Sequence, residues 1–190
     1  MNRESTAFAE ESRPETASDG ATAPRRSAVA GRVRRGIEGG ALATLVMTVY
    51  RLPVTRSLPP SAEFWTTFVA GGRPGDHPLA ALVLHFAYGL GAGGLFAALI
   101  SDRASLDRER TRSFLDDSVS GPPDRSDEVT ATMAGLLYGV ALSAVGERFV
   151  LGRLLGTEPD DRFAFHVGHV LYGITLGAWV GTRTRREKGK

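Results

Sequence analysis

Residues 78–100 read PLAALVLHFAYGLGAGGLFAALI, 23 positions without one formal charge. About 20 apolar residues, each rising 1.5 Å along a helix, cross the roughly 30 Å hydrocarbon core of a bilayer, so this stretch predicts a membrane-spanning helix. It carries His85, Tyr88 and Gly89, and the same His-x-x-Tyr-Gly motif returns as His169, Tyr172 and Gly173. Laying 76–93 on 160–177 without a gap pairs Asp76, Ala80, Val83, His85, Tyr88, Gly89 and Gly93 with identical residue types. Such repetition predicts two copies of one unit.

Average composition points elsewhere: 190 residues with 42% hydrophobic content and a mean hydropathy of −0.10 describe a soluble domain. The average conceals a segregation, because charges gather in 1–35, 101–128 and 182–190. Between them, 129–146 and 163–181 pass the same length test as 78–100. A further segment, 36–54, carries Glu38 and Arg51 near its ends, where both side chains can snorkel to the interfaces. Its long polar lead and the lack of a small-residue cleavage site after Tyr50 favour a span over a cleaved export signal. Arg51 and Arg56 after this segment match Arg148 and Arg153 after the third, so the unit reads as helix, polar turn, helix. The expected fold is an all-α polytopic membrane protein, its four transmembrane helices forming two tandem parallel helical-hairpin repeats, 36–100 and 129–181.

Basic residues set the orientation. Seven Lys and Arg precede the first span, five lie in 101–128 and five follow the fourth span, 17 of the 23 in the chain. Positive charge favours the cytoplasmic side, which predicts a multi-pass protein of the cell membrane with both termini cytoplasmic. Each unit then enters in the same sense, so the repeats are parallel, related by an axis along the membrane normal. Residues 1–35 hold Phe8 as their only aromatic and read as a disordered cytoplasmic basic tail. Its cluster Arg25, Arg26, Arg32, Arg34 and Arg35 suits anionic headgroups, and no reading module for nucleic acid accompanies it. Residues 101–128, with Gly121, Pro122 and Pro123, read as a cytoplasmic linker, and 182–190 as a second basic tail. In the first unit, 60–70 predicts a short helix in the outer interface with Phe64, Trp65, Phe68 and Val69 on one face, abbreviated in the second unit as 148–155. The excess of Arg over Lys, 21 to 2, fits a GC-rich prokaryotic genome, and the lack of cysteine excludes thiol chemistry.

Glycines recur four apart in every span: Gly36 and Gly40, Gly89 and Gly93, Gly135 and Gly139, Gly173 and Gly177. In lipid such faces let helix backbones approach closely, either within the bundle or against a homo-oligomeric or other membrane partner. The histidines are the chemically informative set. His85 lies seven residues into its span and His169 six into its own, both roughly 10 Å deep by the helical rise. Ionisable groups at that depth are costly unless paired. Their plainest use is as hydrogen-bonded glue, with Tyr88 and Tyr172, between the two units. The alternatives are a haem b iron or a transition metal held by His85 and His169, with His166 three residues before His169, or passage of protons or a small solute past a rim of Arg51, Glu147 and Arg148. No P-loop, His-Glu-x-x-His or serine-hydrolase motif is present, so the chain reads as non-enzymatic and without a required cofactor.

The pattern from Gly40 to Thr48, Gly-Ala-Leu-Ala-Thr-Leu-Val-Met-Thr, followed by the two His-x-x-Tyr-Gly motifs, resembles small four-span prokaryotic membrane proteins of the YagU type. The resemblance spans about 36–181. It implies a membrane location and the four-span fold, and it carries no assigned chemistry for any residue.

Overall fold

The computed structural model describes residues 19–55, 58–114 and 125–188, with side chains over 28–55, 58–100 and 128–183. All regular structure within them is helical: α1 (Asp19–Thr55), α2 (Ser61–Trp65) widened by a π turn (Thr66–Ala70), a 3-10 turn (Pro74–Asp76), α3 (Pro78–Phe114), α4 (Arg125–Val145) continued in π geometry (Gly146–Leu155), and α5 (Arg162–Lys188). Among the described residues, three stretches are long and apolar enough to cross a membrane, Pro78–Ile100, Glu128–Leu155 and Arg162–Arg183. The segment expected as the first span, 36–54, is helical within α1 but does not reach that level of hydropathy.

Several expected boundaries move. The tail expected to be disordered is helical from Asp19, so its arginines from Arg25 to Arg35 ride on α1; residues 1–18 lie outside the described residues. Low apolar content fails to predict this because a helix already anchored by packing propagates at little cost, the expensive nucleus having formed elsewhere. The expected linker is likewise helical at both ends, through Phe114 and again from Arg125, while 115–124 and Arg56 lie outside the described residues. The abbreviated interfacial helix expected at 148–155 is helical, but it is not a separate element. Helix α4 runs through it without a break, because a shift to i→i+5 bonding widens the turns and keeps the chain helical. Glycines in the left-handed region end both π stretches, Gly71 and Gly156 each at φ 67°, and the Thr157 N–H returns to the Leu151 carbonyl at 3.0 Å. Asp161 starts α5 by accepting the Ala164 N–H at 2.9 Å, and Pro78 opens α3.

Alanine and glycine share the interior with Met47, Phe96, Leu151, Phe165, Tyr172 and Leu176, while many large apolar side chains face out. Ala43, Ala81, Ala92, Ala131 and Ala164 are buried, whereas Leu79, Val83, Leu137 and Phe163 are each more than two-thirds exposed. Two glycine seams explain how the backbones come so close. Where α1 crosses α3, a Cβ on Gly93 would strike the Gly36 carbonyl oxygen and lie 2.7 Å from the Gly40 Cα. Where α4 crosses α5, a Cβ on Gly135 would strike the Gly173 carbonyl oxygen and lie 2.8 Å from the Gly177 Cα. The four glycine pairs thus pack within one chain.

The two helix pairs join mainly through α1 and α5, around Ala43, Met47, Tyr172 and Leu176. Glycine helps again: Gly39 makes room for Trp179, and Gly168 for Met47 and the stem of Arg51. Contact between α3 and α4 is narrow. The Tyr138 ring sits 5.1 Å from that of Phe96, and its hydroxyl donates to the Ala92 carbonyl at 2.8 Å.

Candidate functional site

Beyond Tyr138, toward α2 and the turn at 156–161, α3 and α4 part and leave a cavity of about 290 Å³. Every helix contributes a wall: Thr44, Met47 and Arg51 from α1, Ser61 and Phe64 from α2, Leu84, His85 and Tyr88 from α3, Leu142, Val150 and Leu154 from α4 and its extension, Phe165, His169 and Tyr172 from α5. The short helix α2 is pinned across one end by the Ser61 hydroxyl, which donates to the Ala81 carbonyl at 2.7 Å, and by Glu63, which accepts from the Thr157 hydroxyl at 2.9 Å.

Both motif histidines line this space, but the two copies are used differently. His169 is buried, with Nδ1 2.8 Å from the Phe165 carbonyl and its ring 4.4 Å from that of Phe165. Tyr172 is buried too, and its hydroxyl donates to the Gly89 carbonyl at 2.6 Å, a tie from α5 to the α1–α3 pair. His85 is half-buried, Tyr88 is 49% exposed, and neither makes a hydrogen bond among the described residues. The tyrosine expected to glue the halves does so in one copy only. Tyr138 supplies the second tie.

Of the expected rim, the structure brings only Arg51 to the cavity. Its Nε and Nη1 are buried and find no hydrogen-bond partner among the described residues. Asp160, the acidic group that acts on it through space, stands beyond ion-pair distance and lines a second pocket of about 260 Å³ with Glu63 and Glu158. Arg51 borders both spaces. Glu147 is instead engaged at the surface, with Arg162 Nε at 2.7 Å and His166 Nε2 at 3.1 Å. His166 therefore shares the flank of α5 with a carboxylate rather than pairing with His169 toward one ligand. Arg148 is exposed and lines neither space. No group of three His, Asp or Glu side chains with metal-holding geometry occurs among the described residues.

Sequence reasoning missed Tyr138, Ser61 and Phe64. Tyr138 left a signal: three of the four tyrosines stand directly before glycine, at Tyr88-Gly89, Tyr138-Gly139 and Tyr172-Gly173. Glycine at the seam lets a neighbouring backbone come near enough for a tyrosine hydroxyl to reach a carbonyl. Ser61 and Phe64 left none, because a helix lying on a surface and one closing a cavity share the same apolar face.

Comparison with known proteins finds no matching family model, no matching curated protein and no matching solved structure.

Proposed function

We propose that this chain is a four-span integral membrane protein of the cell membrane, non-enzymatic, that binds or passes a small solute in the cavity of its outer half. The surface supports the membrane part. In water, so many exposed Leu, Val and Phe side chains would be an aggregation hazard; in hydrocarbon, that exterior over helices seamed by glycine is the expected distribution. For α1 as the fourth span, the support is its own outward face, where Leu45, Val49 and Leu52 are at least half exposed while Ala43, Thr44 and Met47 are buried. A helix flanked by two others needs less hydropathy to cross.

Matching contacts support the tandem repeat. Gly40 meets the Gly89 carbonyl as Gly135 meets that of Gly173, and Gly93 meets the Gly36 carbonyl as Gly177 meets that of Ala131. With the basic-residue bias, both termini are cytoplasmic and the cavity faces the outer leaflet. Reporters fused at the N-terminus, near Pro122 and at the C-terminus test this: all three should be cytoplasmic, and one near Gly72 outside. A split between the first two would remove span one or span two.

The observation that carries the solute reading is the convergence of Arg51, His85 and His169 on a cavity walled by every helix. A convergent set of few polar groups in an apolar pocket is the usual form of a small-molecule site. Val150→Trp should fill the space. A thermal-shift panel of small solutes should stabilise the wild type and not this variant, and equal responses from both would refute the reading.

Metal or haem ligation is the second reading, because both imidazoles line one space. A Soret band or stoichiometric metal in purified protein, lost in His169→Phe, would favour it over solute binding.

A further inference from the structure

Arg51 is a cation placed where cations are expensive. Its Nε and Nη1 are buried and find no hydrogen-bond partner among the described residues, and its side chain lines a cavity that Phe64, Leu84, Leu142, Val150 and Leu154 share with His85, Tyr88, His169 and Tyr172. A buried guanidinium offers paired donors suited to a carboxylate or phosphate, and Asp160 stands too far away to take them. An anion that was polar throughout would satisfy Arg51 and leave the long apolar wall uncovered. A neutral hydrocarbon would do the reverse. The space of about 290 Å³ corresponds to roughly ten water-sized groups at ~30 Å³ each, enough for a short chain with a head. Of the lining residues along α3 and the α4 extension, Tyr88 and Leu154 are about half exposed, so the mouth opens sideways between these elements.

Resting on the solute-binding reading above, we propose that the cavity takes an anionic amphiphile of one short acyl chain, its carboxylate or phosphate head on Arg51 and its chain along Leu84, Leu142 and Val150, admitted laterally from the bilayer. Two sources share this chemistry, a free fatty acid and one chain of an anionic phospholipid.

The test uses the full chain in nanodiscs of phosphatidylcholine, titrated with decanoate, decanol or inorganic phosphate, with melting temperature and saturable binding as readouts. Decanoate should bind and stabilise, decanol should bind about tenfold more weakly or worse, and phosphate alone should have no effect. Arg51→Gln should reduce decanoate to the level of decanol, while Arg51→Lys, which keeps the charge and loses the paired donors, should keep only part of the preference. Stabilisation by phosphatidylglycerol in the disc without any response to decanoate would assign the head to a lipid, and the converse to a free acid; either supports the proposal. Measurable and equal binding of decanoate and decanol to the wild type, phosphate stabilising as well as a decanoate that binds, or no response to either decanoate or phosphatidylglycerol would overturn it even if Arg51→Gln failed to fold. Val150→Trp separates the two levels. If it abolishes binding of both amphiphiles while they bind equally, the cavity reading stands and the anionic head is wrong; if it leaves their binding unchanged, both readings fall.

Discussion

His85-x-x-Tyr88-Gly89 and His169-x-x-Tyr172-Gly173 are one motif in sequence and two different devices in the folded chain. The second copy is buried and bonded, His169 to its own helix and Tyr172 across to Gly89; the first is open, His85 half-buried at the cavity wall and Tyr88 half exposed at its mouth. The helix crossing, which depends on glycine spacing, is alike at both copies, while the first copy's polar groups take no part in packing. Residue identity sets what a side chain can bond. Position in the bundle decides whether it does.

The sharpest way to break this contrast is at the glycines. Gly173→Leu should cost at least about 3 kcal/mol, because the new side chain meets the backbone of Gly135 and Gly139 on α4, which cannot yield without parting the seam. Gly89→Leu should cost less, since a Cβ there first meets the side chain of Thr44. Equilibrium unfolding in mixed micelles measures both, and equal losses would mean that the two seams are interchangeable. Next in size is the tyrosine pair. Tyr172→Phe leaves the Gly89 carbonyl without its donor and should lose about 1 kcal/mol, against less than about 0.5 kcal/mol for Tyr88→Phe. Should the order reverse, Tyr172 would not be the tie between the helix pairs.

The histidines come third. His169→Phe should destabilise by about 0.5–1 kcal/mol through loss of its bond to the Phe165 carbonyl, whereas His85→Phe should leave unfolding nearly unchanged and alter solute response in the cavity. A loss of stability in His85→Phe equal to that in His169→Phe would erase the distinction between them. His77→Phe, at the start of α3 and outside the cavity, should be the mildest change, visible if at all as a few tenths of a kcal/mol.

Much of this architecture is legible in the chain because its strongest determinants are local. Charge segregation marks the apolar helices, and four-residue glycine spacing marks the faces that meet. What the sequence hides is non-local. Nothing in 28–35 distinguishes a solvated coil from the continuation of a helix packed farther along, and both motif copies look alike until Tyr138 closes one side of the gap and leaves the other apart. Arg51 is readable as a charge near a span end; that it comes to line a cavity with His85 and His169 is set by the packing of helices far apart in sequence.

Helix seams held by glycine have little freedom, since sliding one backbone past the other brings Cα against carbonyl at once. The molecule is therefore bound like a book whose spine is the contact of α1 with α5 and whose two stiff covers are the glycine-locked pairs. Any widening of the space between the covers has to come at the fore-edge, where α3 and α4 touch, and the hydroxyl of Tyr138 on the Ala92 carbonyl is the clasp.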